Sequence, residues 1–208
     1  SDVYKRQSNE FTIEAWLEPG NLTQAGPARI VSMSGDTVSR NFTLGQGHWR
    51  GQPSDIYNMR LRTNQTDLNG EPSLSTESAV ARMSQSHVTF VYDQAGGHLY
   101  VNGQEVASSS LGGSFRNWDQ SYDLVIANEA TGDRPWLGTL YHVAIYCDAL
   151  AAADVEENFS RGADLPGSSD DDPGPGETDV PNEVPTESPG GSPPDSSNPP
   201  TTTPAPEI

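Results

Sequence analysis

Hydrolysis of a glycosidic bond needs two carboxyl groups, about 5.5 Å apart when configuration is retained. On a β-strand such a pair appears as acids at alternate positions. The sequence holds no such run. Glu14 and Glu18 stand alone in an otherwise alternating segment, and they read as solvent-facing strand positions. The histidines, at 48, 87, 98 and 142, have neither H-x-H nor H-E-x-x-H spacing, so zinc chemistry has no support. Ser, His and Asp occur, but no G-x-S-x-G turn organises them. The chain therefore reads as no enzyme. Recognition chemistry fits the residues better. Hard oxygen ligands converging from loops suit Ca2+, and two polar loops carry them: Asp36 in one, and Asn128, Glu129 and Asp133 in the other. The same side chains also make turns by bonding their own backbone, and both readings stay open. In Gly132–Gly138, Arg134 suits a carboxylate or sulfate and Trp136 suits the face of a sugar ring. Trp49 and Trp118 lie in similar loop contexts; the alternative for all three tryptophans is to cover the ends of a core. Arg60 and Arg62 share a strand face, as a structural ion-pair network or as a ligand clamp, with Asp133 as a distant candidate partner.

The elements that would position these residues are short and extended. Phe11, Ile13, Ala15 and Leu17 alternate along one face, and Pro19-Gly20 ends the run. Further runs with a period of two cover 29–33, 41–46, 57–63, 87–92, 98–101, 105–109, 122–127 and 139–146. Asn102-Gly103 is the strongest hairpin signal. Residues 64–86 are polar, with Asn69-Gly70 as a turn. One helix is expected after residue 147, capped by Asp148, with Leu150, Val155 and Phe159 on one face and Gly162 as the stop. Many short strands and one short C-terminal helix mean an all-β sandwich or barrel.

Composition divides the 208 residues. Residues 162–208 hold 12 of the 17 prolines and ten of the 29 acids, without Lys, Arg or an aromatic residue. Such a segment buries too little apolar surface to offset its ordering entropy, and it reads as a disordered acidic linker. Much of the net charge of −18 belongs to it. The balance argues against nucleic acid or an anionic membrane as partner, since both require a basic face. No apolar run approaches the ~20 residues of a membrane helix. Asp2–Gln7, DVYKRQ, is also the translation of the mosaic-end adapter of transposase sequencing libraries. Residues 1–7 accordingly read as adapter, and the chain as a bacterial metagenomic fragment. Its signal peptide would lie upstream, and further domains would lie beyond the linker.

Three segments carry a family resemblance. Phe11-Thr-Ile-Glu-Ala-Trp16 resembles an opening F-t-v-e-a-W strand. His87–Asp93 followed by Leu99-Tyr-Val-Asn-Gly103 resembles a W-h-v-a-f-t-y-d…l-Y-v-N-G hairpin. Leu137–Tyr146, with Ala149-Leu150 and Asp154-Val155, resembles a closing strand and helix. In this order they resemble the laminin-G-like (pentraxin-type) domain of the concanavalin A-like lectin/glucanase superfamily. The resemblance implies an antiparallel jelly-roll β-sandwich over residues 8–161. It implies a noncatalytic recognition module of a larger exported or cell-surface protein, binding glycan or an extracellular protein. No cofactor is required; Ca2+ at the sandwich rim is the one candidate. A structural spacer or adhesion domain without a small ligand is the alternative. Another is part of a glycoside hydrolase whose catalytic residues lie elsewhere. Two departures are visible. The family's N-terminal strand is missing before Phe11, and Tyr141-His142 replaces an acid of the closing strand, which weakens a calcium site there.

Overall fold

The computed structural model describes residues 9–24, 26–47 and 53–163. The expectations for residues 1–7, for Trp49 and for the linker from residue 164 onward lie outside the described residues. Two antiparallel five-stranded sheets face each other. The first has the order β10-β1-β6-β7-β8 and the second β5-β4-β3-β2-β9. The strands are β1 (Phe11–Pro19), β2 (Ala28–Ser34), β3 (Arg40–Gln46), β4 (Tyr57–Leu61) and β5 (Leu74–Ser75). They continue with β6 (Ser86–Asp93), β7 (Gly96–Val101), β8 (Gln104–Ser109), β9 (Leu124–Ile126) and β10 (Gly138–Tyr146). One helix among the described residues, α1 (Ala152–Arg161), follows β10. This is the jelly-roll sandwich expected. The one strand not anticipated is β5, a two-residue edge strand in the polar stretch 64–86. Asn102 and Gly103 form the two-residue turn between β7 and β8, both at positive φ (51° and 78°), as a type I′ hairpin requires.

Alternation builds the core. Phe11, Ile13, Ala15 and Leu17 of β1 are fully buried, and Val31, Met33, Phe42, Leu44, Tyr57, Met59 and Leu61 answer them from the second sheet. Phe11 is the hub. Its ring lies 5.4 Å from Phe115, 5.7 Å from Phe42 and Trp118, and 5.8 Å from Phe90, centroid to centroid. At one side the sandwich stays open. Leu124 and Ile126 pair with Met33 and Val31, so they point to the core side, yet they remain 47% and 50% exposed.

Part of the outer face of the first sheet is covered. Glu14 is 4% exposed, because α1 packs over it, contrary to the reading of this position from alternation. One Glu14 oxygen meets His87 Nε2 at 2.9 Å. The other accepts from the Tyr146 hydroxyl at 3.0 Å and the Asn158 amide at 2.9 Å. The Trp16 ring stacks on His87, and Phe159 of the helix stacks on both. Glu18 does lie toward solvent and accepts from the Tyr141 hydroxyl at 3.0 Å. The cap of α1 also differs from expectation. The helix starts at Ala152, and Asp154 reaches back to the Ala151 N–H at 3.2 Å. Asp148 instead lends its carbonyl to the Thr12 hydroxyl at 2.9 Å, tying the helix lead-in to β1. Gly162 ends the helix at φ 85°, as anticipated.

Two outcomes follow. Phe11→Ala should lower unfolding free energy by about 3–5 kcal/mol, measured by urea titration, because the cavity opens at the centre of the aromatic cluster. The second concerns pH. Burial alone would raise the Glu14 carboxyl, but hydrogen bonding and charge from His87, with bonds from Tyr146 and Asn158, outweigh it and hold it below its ordinary 4.5. Its contribution to stability is therefore present above the unfolded value and lost as pH falls through the lower folded value. Urea midpoints on either side of that range should show a steeper acid loss in the native protein than in Glu14→Gln.

Candidate functional site

On the outer face of the second sheet the same alternation delivers polar groups. Ser32, Thr43 and Arg60 are direct ladder neighbours, and Asn58 pairs with Ser75. Their strand neighbours Val31, Met33, Phe42, Leu44 and Met59 all belong to the core, so these residues point the other way. Two register shifts add two arginines. Arg29 pairs with Gly45 but Val31 pairs with Leu44, which leaves Ile30 as an extra residue in β2. Met33 pairs with Phe42 but Ser34 pairs with Arg40, which leaves Asn41 as an extra residue in β3. A bulge re-aims the side chains on one side of it. Arg29 and Arg40, which share sequence parity with core residues, thereby join Arg60 on the outer face.

The Ala127–Leu137 loop is laid over this face. Backbone bonds fasten it: Arg29 N–H to the Arg134 carbonyl at 3.0 Å, Ala127 N–H to Ile30 at 2.9 Å, and Trp136 N–H to Ala127 at 3.0 Å. The fastening centre is a fully buried ion pair, Arg29 Nε to Glu129 Oε2 at 2.8 Å. The Ser34 hydroxyl donates to the other Glu129 oxygen, and a second Arg29 nitrogen donates to the Pro27 carbonyl at 2.7 Å. Arg60 pairs with Glu71 at 2.9 Å and donates to Asn69 at 3.0 Å; its partner is thus Glu71 rather than Asp133. Arg40 is different. It is fully buried and donates to Thr43 Oγ1 at 3.0 Å and to the Thr37 carbonyl. Among the described residues no carboxylate lies within ion-pairing distance of it, and its Nε has no partner. Burial, then the neighbouring Arg29 and Arg60 charges, lower the Arg40 guanidinium to about 9, still a cation at neutral pH. Burial likewise lowers Arg29 and Arg60.

Above these groups lies a cleft of about 340 Å3. Arg29 and Arg60 contribute to its lining together with Arg134. Pro27, just before β2, with Thr37 and Val38, from the turn between β2 and β3, and Asn69 and Glu71, from the turn before β5, complete it. A wider depression of about 450 Å3 beside β5 is lined chiefly by Ser73, Ser75, Thr76 and Ser78, with no cation. The arginine cleft is thus the place where charge and concavity coincide.

The family whose model matches residues 2–156 is Laminin_G_3, of the concanavalin A-like lectin/glucanases superfamily. The chain belongs to this family. The Laminin_G_3 assignment bears out the resemblance drawn from the three sequence segments. Among solved structures, a candidate carbohydrate-binding protein from Bacteroides ovatus has 20% identity and a TM-score of 0.55, over 72% of this chain. The chain spans only 40% of that protein. The CBM40 of a Ruminococcus gnavus IT-sialidase has 17% identity and a TM-score of 0.55, over 76% of this chain and 86% of the module. Domain 4 of a Geobacillus stearothermophilus extracellular arabinanase, in complex with arabinotriose, has 17% identity and a TM-score of 0.51, over 72% and 66%. At these identities the likeness establishes the fold. No curated protein matches by sequence.

The anticipated site residues fall into distinct groups. Arg134 lines the cleft. Trp136 and Trp118 do not reach it. Each is 5% exposed and belongs to the core. The Trp136 indole N–H donates to Gln46 at 2.9 Å and that of Trp118 to the Arg62 carbonyl at 2.6 Å. Both rings are turned into the core, where each indole N–H has an internal acceptor. The oxygen-ligand set does not fit Ca2+ either. Glu129 is held by Arg29, whose cation opposes a second one at the same carboxylate. Asn128 Oδ1 accepts from the Glu129 and Arg134 N–H groups, Asp133 from the Thr131 hydroxyl, and Asp36 from the Val38 N–H. Among the described residues no three His, Cys, Asp or Glu side chains converge to hold a metal. Arg29 and Arg40 went unmarked in the sequence because their parity matches the core.

Glu129→Gln should destabilise the domain by about 3–5 kcal/mol in urea titration, since it leaves Arg29 buried and uncompensated. The double change Arg29→Met with Glu129→Leu should recover most of that loss.

Proposed function

We propose that this chain is a noncatalytic recognition module that binds saccharide in the arginine-lined cleft of the second sheet. One observation carries the reading: three arginines line a single cleft, in a protein whose net charge is −18. Its volume, about 340 Å3, falls in the range of small-ligand sites, roughly 300–1,000 Å3. Guanidinium forks are fixed arrays of donors that suit sugar oxygens. Val38, 60% exposed on the lining, offers an apolar surface for the C–H face of a sugar ring. Solved structures of the same fold contain arabinotriose and sialyllactose, which supports a saccharide as the ligand class. A glycosidase would need two carboxyl groups about the scissile bond; Glu71 is the one carboxylate in the lining, and Arg60 engages it. We place the module in a larger exported or cell-surface protein, with other extracellular domains as its neighbours.

A glycan array tests this. Saccharide binding is expected, equal in calcium and in EGTA, and lost in Arg134→Ala with an unchanged melting temperature. A silent array with a cooperatively folding domain would sink the reading and leave a structural spacer.

A further inference from the structure

We propose that the group this cleft selects is an anion carried on the saccharide, a carboxylate or a sulfate ester. The proposal rests on the saccharide reading above and specifies its ligand class. It follows from how the charges are compensated. Glu129 neutralises Arg29 from below, in a fully buried pair. Glu71 neutralises Arg60, but its own side chain is 33% exposed, so it stands at the solvent edge. No carboxylate lies within ion-pairing distance of Arg40 among the described residues, and Glu129 and Asp36 act on it only from farther off. It is fully buried, with an orphaned Nε, and one nitrogen holds the carbonyl of Thr37, a residue of the cleft lining. A buried cation without a close partner is costly, and of the three arginines that the fold brings within mutual influence Arg40 alone lacks an ion pair. An anion in the cleft supplies the missing charge. A neutral sugar does not.

The exposed position of Glu71 gives the site an exchangeable occupant. Its carboxylate takes the Arg60 nitrogen at 2.9 Å and the Ser73 N–H at 2.7 Å. An incoming carboxylate or sulfate presents the same acceptor chemistry to Arg60 and displaces it, while Arg134 closes on the ligand from the opposite loop. The bidentate preference of guanidinium for planar or tetrahedral oxyanions favours this exchange. Glu71 is then a competitor for the ligand and not a contributor to its binding.

The experiment uses the full chain on an array that carries the same scaffolds in neutral, carboxylated and sulfated form, with lactose, sialyllactose and sulfolactose among them. Wild type, Arg134→Gln and Glu71→Gln are compared. Acidic members should bind about tenfold tighter than their neutral parents, one charge-assisted hydrogen bond being worth roughly that factor. Arg134→Gln should remove the preference. Glu71→Gln should raise the ratio of acidic to neutral binding severalfold, which a merely structural Glu71 would not do. Preference for the carboxylated or the sulfated set identifies which anion is used. Equal binding of neutral and acidic members, or weaker acidic binding in Glu71→Gln, would overturn the anion while saccharide recognition stands. Absence of binding to every member would overturn both.

Discussion

The buried Arg29–Glu129 pair governs the architecture of the site. It sits where a sheet face would ordinarily meet water and fastens the Ala127–Leu137 loop across β2. Without it the outer face of the second sheet would be open and its polar row hydrated. With it, Ser32, Ser34, Thr43 and Asn58 are all buried, and hydrogen bonds must be found for them within the protein. Ser32 finds the Asn128 carbonyl, Ser34 the Glu129 carboxylate, and Asn58 the Ser75 hydroxyl. Each solution uses the loop or a neighbouring strand. The loop's path, the satisfaction of the sheet face and the wall of the cleft that carries Arg134 therefore depend on one ion pair.

The first sheet solves a similar problem differently. Its outer face also carries a buried acid, Glu14, but α1 covers it and its partners are a histidine, a phenol and an amide. Stacking of Trp16, His87 and Phe159 packs the space between the helix and the sheet. The contrast is one of chemistry at the cover. A helix brings an apolar face with Val155 and Phe159, so it seals. A loop whose inner contacts are mostly polar leaves donors and a cavity.

These covers set what could be read in the sequence. The strands were legible because Phe11, Ile13, Ala15 and Leu17, and their counterparts elsewhere, alternate without interruption, and because Asn102-Gly103 permits one turn geometry. The burial of Glu14 was not, since it arises from a helix distant in sequence, whose Asn158, 144 positions on, donates its amide to Glu14. Arg134 and Arg60 were legible as candidates: one in an unusual loop, the other at an outward position of β4. Arg29 and Arg40 were hidden because the bulges at Ile30 and Asn41 invert their parity, and a bulge has no signature in a simple hydrophobic alternation. The burial of Trp118 and Trp136 was hidden for a related reason. A loop position says nothing of whether an indole N–H has an internal acceptor, and Gln46 and the Arg62 carbonyl supply one to each.

The two bulges carry a further implication. Had β2 and β3 paired without extra residues, Arg29 and Arg40 would point into a core of Phe, Ile, Leu and Met, where an isolated guanidinium is not tolerated. Replacing both by apolar residues in a regular ladder would be the simpler way to build a stable sandwich, since buried ion pairs rarely improve on well-packed hydrocarbon. The structure instead spends two irregularities in adjacent strands to gather Arg29 and Arg40 beside Arg60, and gives only Arg29 a fully buried carboxylate. Ion pairing does not account for that arrangement, because Arg40 gains no ion pair from it. What the arrangement delivers is positive charge beneath the cleft, in a chain otherwise dominated by acids, and among the clefts described this is the cationic one.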